Sequence, residues 1–259
     1  MVSPDFAVPP LYLNSSRNNM KDDEILNSVW KDFESGGAIE KVIKKEMPEI
    51  VRLLQEAITM LAAGFIACEI RDNTKVNKVI MGLMSNNFAT LKCSVDLVSH
   101  GYYMQSMNLL RIVHENLIAC YYLKEKPEEV GLWLNYNKGN RPPGHATMLN
   151  QLDKTKEEKE DLRELYQLLC AFAHTNSLKV HPHLYKSNVN FGSPYNKELF
   201  KMSAFLICKM AKQALSFISQ WVPDVDQWHK AKEIIVYDID EFADQMEKVF
   251  QLEGKKITE

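Results

Sequence analysis

The segment from Tyr102 to Glu125 constrains the fold more than any other, because its central part, Met104 to Ile118, is apolar nearly all round a helical wheel. Leu110 and Leu117 lie on one side, Ile112 and Leu123 on another, and Met104, Ile118 and Tyr122 on a third. A helix without a broad polar face needs neighbours on every side, which places this one inside a bundle. A chain of 259 residues is long enough to supply them around one large core.

Periodicity elsewhere marks those neighbours. Asp22 and Asp23 precede Ile25, Leu26, Val29, Trp30 and Phe33 at helical spacing, and Gly36-Gly37 supply a left-handed stop. The pattern resumes at Ala38, and Pro48-Glu49 suits the first turn of a longer helix, so a kink or restart is expected at the proline. Thr74 is placed to cap a helix whose Val76, Val79, Ile80, Leu83, Phe88, Leu91, Val95 and Val98 form one stripe before Gly101. Lys126-Pro127 ends the central helix and opens a short one with Val130, Trp133 and Leu134.

The clearest loop is Asn137 to Gly144, rich in Gly and Pro. A charged helix from Lys154 turns apolar at Leu162, Leu165, Leu168, Leu169 and Phe172 and runs into His174; a second loop spans Leu178 to Tyr195. Met202 to Trp221, closed by Pro223, and Ile239 to Phe250 mark the last two helices. The expectation is an all-α bundle of six or seven helices in one domain, residues 22–259, behind an N-terminal arm, residues 1–21; residues 233–237 are the one stretch that reads as extended.

Composition narrows the function classes. A net charge of −3 argues against a surface built as a whole to coat nucleic acid, without excluding a local basic patch. The five cysteines are scattered through apolar stretches with no C-x-x-C pair, and read as buried thiols in a reducing compartment. Residues 1–19 lack a basic region followed by an apolar run, which argues against a signal peptide. The most apolar window, Ile50 to Ile70, is broken by Arg52, Glu56 and Glu69, so no membrane span and a cytoplasmic location are expected.

Two groups of residues point to chemistry. Arg111 and Glu115 are one turn apart on the central helix, flanked by Met104, Ile118 and Tyr122, so the wheel predicts a buried ion pair. Such a pair either locks helix register or lines a pocket for an anion, because an internal charge is costly unless it is paired and hydrogen-bonded. His114 lies beside it. The second group is His174, Asn176, Ser177, His181 and His183, where an imidazole near neutral pH can hold or move a proton.

A metal held by His174, His181 and His183 is an outside reading, since H-x6-H-x-H matches no familiar ligand spacing and Pro182 separates two of the histidines. His145, following the Gly-Pro loop, is a weaker candidate, and Met81, Met84, Met104 and Met107 read as core filler. There is no phosphate-cradling P-loop, nucleophile elbow or H-E-x-x-H motif, and no cofactor is expected.

Leu109-Leu110-Arg111-Ile112-Val113-His114-Glu115-Asn116, followed by Tyr166-x3-Cys170-x3-His174-x-Asn-Ser, resembles a family of bacterial helical proteins of unknown function. That family is more distantly similar to HEPN nucleotide-binding bundles and abortive-infection proteins. The similarity runs over residues 102–183 and implies a helical bundle with Arg111, Glu115 and His174 at its site. No arginine here has a histidine four to six spacer residues further on, so the HEPN ribonuclease pattern is not met.

The functional expectation is an interhelical site for a small anionic ligand, with a nucleotide or RNA end implied by the resemblance. Arg111 would anchor the anion, His114, Asn176 and Ser177 would contact it, and Glu115 and His174 would serve as the catalytic pair. The alternative is a bundle without chemistry that binds another chain or dimerises, its Arg111 and Glu115 purely structural.

Overall fold

A computed structural model describes residues 37–67, 74–135, 140–173, 184–185, 188–189, 195–221 and 239–250. These contain nine α-helices: α1 (37–46), α2 (Pro48–Ala67), α3 (Lys75–Ser99), α4 (Tyr103–Glu125), α5 (Gly131–Leu134), α6 (His145–Gln151), α7 (Lys156–Ala173), α8 (Lys197–Trp221) and α9 (239–250). The all-α class is as the sequence implies. The count exceeds six or seven because Met47 divides α1 from α2 and because the seven-residue α6 is a short piece that the sequence did not announce. Leu184–Tyr185 and Asn188–Val189 pair as an antiparallel two-residue ladder. The expected helix after Asp23, the N-terminal arm and the extended stretch 233–237 lie outside the described residues.

Local chemistry sets the element boundaries. Met47 separates α1 from α2, and Pro48 starts α2, where a missing N–H costs nothing. Thr74 Oγ1 accepts the Asn77 backbone N–H at 3.2 Å, satisfying one of the orphan donors at the start of α3. At the corner between α3 and α4 the chain takes φ 84° at Gly101, a conformation costly for any residue with a Cβ. Pro127 ends α4 and begins the 3₁₀ turn Pro127–Val130.

α4 is the axis of the bundle and packs on α3, α6, α7 and α8. Tyr103, Met107, Leu110, Val113, Leu117, Cys120 and Leu123 on it are all at most 2% exposed. The main core joins these to Leu54 and Leu61 of α2, Ile80 and Leu91 of α3, and Phe200, Ile207, Met210 and Phe217 of α8. A smaller cluster of Ile118, Tyr122, Met148, Leu149 and Leu152 seats α6 beside α4, and Leu83, Tyr121 and Trp133 touch both clusters. Met84, Met104 and Met107 are buried in the core.

Where α3 crosses α4, two fully buried serines replace bulk with hydrogen bonds. Ser106 Oγ donates to the Ser94 carbonyl at 2.9 Å, and Ser94 Oγ donates to the Thr90 carbonyl at 2.9 Å. Asn116 Nδ2 donates to Asn87 Oδ1 at 2.8 Å further along the same contact.

The cysteines depart from the expectation of five buried thiols. Cys120 and Cys208 are buried, Cys170 is half-buried and Cys93 is exposed, while Cys68 lies outside the described residues. Cys93 falls on the outer side of α3, where the apolar stripe of that helix does not reach. Burial raises the pKa of the Cys120 and Cys208 thiols well above the ordinary range.

Among the described residues no helix is long and apolar enough to cross a membrane.

Candidate functional site

Arg111 and Glu115 meet as their spacing implies, but not in the interior. Arg111 Nε donates to Glu115 Oε1 at 2.9 Å, with the side chains 31% and 37% exposed. The prediction of a buried pair is therefore corrected. On this face of α4 the end residues Met104 and Tyr122 are covered, each 1% exposed. The middle borders an outer stripe that includes Ile112, at 42% exposure, so the helix is not enclosed on every side.

Tyr166 of α7 reaches over the pair. Its hydroxyl donates to Glu115 Oε1 at 2.9 Å and accepts from Arg111 Nη2 at 3.2 Å, closing a triangle between two helices. Burial first, and then the hydrogen bond to the Glu115 carboxylate, push the Tyr166 phenol up to about 12. The hydrogen bond to Glu115 raises the pKa of Arg111. The guanidinium is thus already neutralised and held on two of its donor edges.

The buried polar group is His114. It is 0% exposed, and neither Nδ1 nor Nε2 has a hydrogen-bond partner. Its ring centroid lies 5.1 Å from that of His145, at the start of α6, and 5.8 Å from that of Tyr166. His145 stacks on Tyr166 at 3.8 Å with 14° between the planes, so three rings from α4, α6 and α7 lie together. Desolvation, then the nearby His145 and Lys209, pull His114 down to about 3; desolvation also lowers His145. His114 is a neutral imidazole at pH 7 with both nitrogens unsatisfied, an uncommon and costly state.

His114 is also part of the wall of a cavity of about 450 Å³. α4 supplies His114, Leu117, Ile118 and Tyr121 to it, and α8 supplies Phe205, Lys209, Lys212, Gln213 and Ser216. On the α7 side stand Lys154, Glu158, Asp161 and Leu162, and Met246 of α9 completes the lining. Lys154 is committed: Nζ lies 3.3 Å from Glu158 Oε1 and 4.9 Å from the centroid of the Tyr121 ring. Glu158 is committed too, because it accepts the Thr155 N–H at 2.9 Å in a capping box. Lys209 and Lys212 make no ion pair with a carboxylate among the described residues. They are the available cations of the cleft.

Of the residues singled out from sequence, Arg111, His114 and Glu115 fall within this region, and His145 joins them. His174, Asn176, Ser177, His181 and His183 lie outside the described residues, with α7 described as far as Ala173. Among the described residues no group of three or more His, Cys, Asp or Glu is placed to hold a metal ion. Sequence reasoning passed over Tyr166 as a partner of the ion pair and gave no place to Lys209 and Lys212. The signal for the lysines was a pair of charges, three apart, set among apolar residues in the middle of α8. No protein-family model, curated protein or solved structure matches this chain.

Proposed function

We propose that this chain is a ligand-binding helical bundle that takes a small anion, a phosphate or carboxylate group, into the cleft over α4 between α7 and α8. The observation that carries the reading is the fully buried His114, both nitrogens without partners, in the wall of a cavity that also contains Lys209 and Lys212, which have no ion pair among the described residues. A buried donor or acceptor left unsatisfied costs about 1–3 kcal/mol, so each such group calls for a reason, and a ligand group is one. A cavity of about 450 Å³ falls within the size range of small-molecule sites, and its Leu117, Ile118, Leu162 and Phe205 surfaces strengthen any charge contact made inside it.

In this reading Arg111 and Glu115 act as positioning residues. Through Tyr166 they clamp α7 to α4 and so hold the ring stack in which His114 sits. Glu115 Oε1 accepts from both Arg111 and Tyr166, which fixes the orientation of the carboxylate. A catalytic role for His174 and ligand contacts from Asn176 and Ser177 belong to the proposal through sequence alone, as does a nucleotide or RNA end as source of the phosphate.

The interaction-surface alternative draws little support. The exposed large apolar side chains among the described residues are Ile112, Leu134 and Leu168, on three different helices, and a few exposed apolar residues are normal on a protein surface.

Calorimetric titration of the full chain with inorganic phosphate and with acetate tests the reading. Binding of at least one is expected, with Lys209→Ala and Lys212→Ala each weakening it about tenfold or more, as loss of a charged hydrogen bond does. Absence of heat with both anions, or equal affinity in the doubly substituted chain, would refute it.

A further inference from the structure

The cleft is electrically two-sided. Across the apolar floor of Leu117, Ile118 and Tyr121, the α8 wall carries Lys209 and Lys212, while the α7 wall carries Glu158 and the exposed Asp161. The charges do not close on each other: the ion pair within the lining joins Lys154 to Glu158 on one side, and Asp161 has no pair with Lys209 or Lys212 within 4.0 Å. Opposite charges on facing walls would collapse together if the helices allowed it. Here packing on α4 holds α7 and α8 apart, because each is anchored by its own buried residues, Leu165 and Leu169 on one and Phe217 and Ile218 on the other.

A simple anion drawn to Lys209 and Lys212 meets the field of Asp161 from the opposite wall, which offsets part of the attraction. A molecule with a positive group at its other end turns that repulsion into a second contact, with its chain lying on the apolar floor. The buried His114, with neither ring nitrogen hydrogen-bonded, stands in the wall between the two charged sides.

Resting on the anion-binding reading, we infer that the ligand is dipolar: a phosphate or carboxylate at the Lys209 and Lys212 side joined through a short apolar chain to a primary amine at the Asp161 side. ω-Amino acids with two or more carbons between amine and carboxylate, and aminoalkyl phosphates, share this chemistry. The positions of the walls assign the ends, the amine to α7 and the anion to α8.

The probes are phosphoethanolamine and its three- and four-carbon homologues, each compared with the alkyl phosphate that lacks the amine, by calorimetry on the full chain. At least one amine is expected to bind about tenfold tighter than its counterpart. In Asp161→Asn that advantage should vanish while the alkyl phosphate keeps or improves its affinity; Asp161 is exposed, and circular dichroism checks that the variant stays folded. If the alkyl phosphates bind through Lys209 and Lys212 as tightly as every amine, the dipolar assignment fails and anion binding stands. An amine advantage that survives in Asp161→Asn also overturns the assignment. If neither series binds, the dipolar assignment fails, and the titrations with inorganic phosphate and acetate decide anion binding separately.

Discussion

His114 is an imidazole that the folded chain keeps dry, neutral and without a hydrogen bond, and each of these properties has a measurable consequence. In the unfolded chain its pKa is about 6.5, whereas burial holds it at about 3 in the folded one. The unfolded state therefore binds the proton first, and stability falls as pH drops from about 6.5 toward 3 while being unaffected by this group above neutrality. Between pH 7 and pH 5 the loss from His114 alone is about 2 kcal/mol. His145, also depressed, adds to it.

His114→Leu removes the titrating ring and its unsatisfied nitrogens at similar volume. Urea unfolding should show the variant ahead of wild type by about 1–3 kcal/mol at pH 7, from the unsatisfied nitrogens removed, and by about 2 kcal/mol more at pH 5. Equal pH dependence in the two proteins would contradict the neutral buried state. By contrast Arg111 and Glu115, each about a third exposed, contribute little to stability as an ion pair and matter through what they hold in place.

At the scale of elements, helix termini were readable because they depend on one or two residues. Pro48, Thr74, Gly101 and Pro127 each impose a boundary through a missing N–H, a capping oxygen or a positive φ, and each boundary lies where the sequence implies. α6 was not readable, since seven residues with Met148 and Leu149 as its buried pair are too short to show a period. The close approach of α3 and α4 was equally hidden. It depends on Ser94 and Ser106, separated by 12 positions in sequence, being small at one crossing point. Ser106→Ala should cost about 1 kcal/mol by losing the hydroxyl's bond, and Ser106→Leu about 3 kcal/mol by forcing the helices apart. Thermal melting of the two variants checks the order; a leucine as well tolerated as alanine would mean the crossing is loose.

At the scale of the whole molecule, the all-α class and the central place of α4 follow from one apolar segment, whereas the site does not. The i,i+4 spacing of Arg111 and Glu115 guarantees adjacency, but burial depends on what covers them, and Tyr166 comes from 51 residues beyond Glu115. The cleft is assembled from α4, α7, α8 and α9, so no local pattern announces it. The same enclosure gives the chain a reporter of its own opening. Cys120 on α4 and Cys208 on α8 are sealed, and their thiols resist ionisation, while Cys93 stands in solvent. Iodoacetamide should therefore tag Cys93 promptly and reach Cys120 and Cys208 only when the bundle comes apart, which peptide mass spectrometry over time would follow. Early modification of either sealed thiol would show a leak in the core. Two sulfur atoms on neighbouring helices thus serve as a stopwatch: the delay between the first tag and the last is the lifetime of the closed molecule.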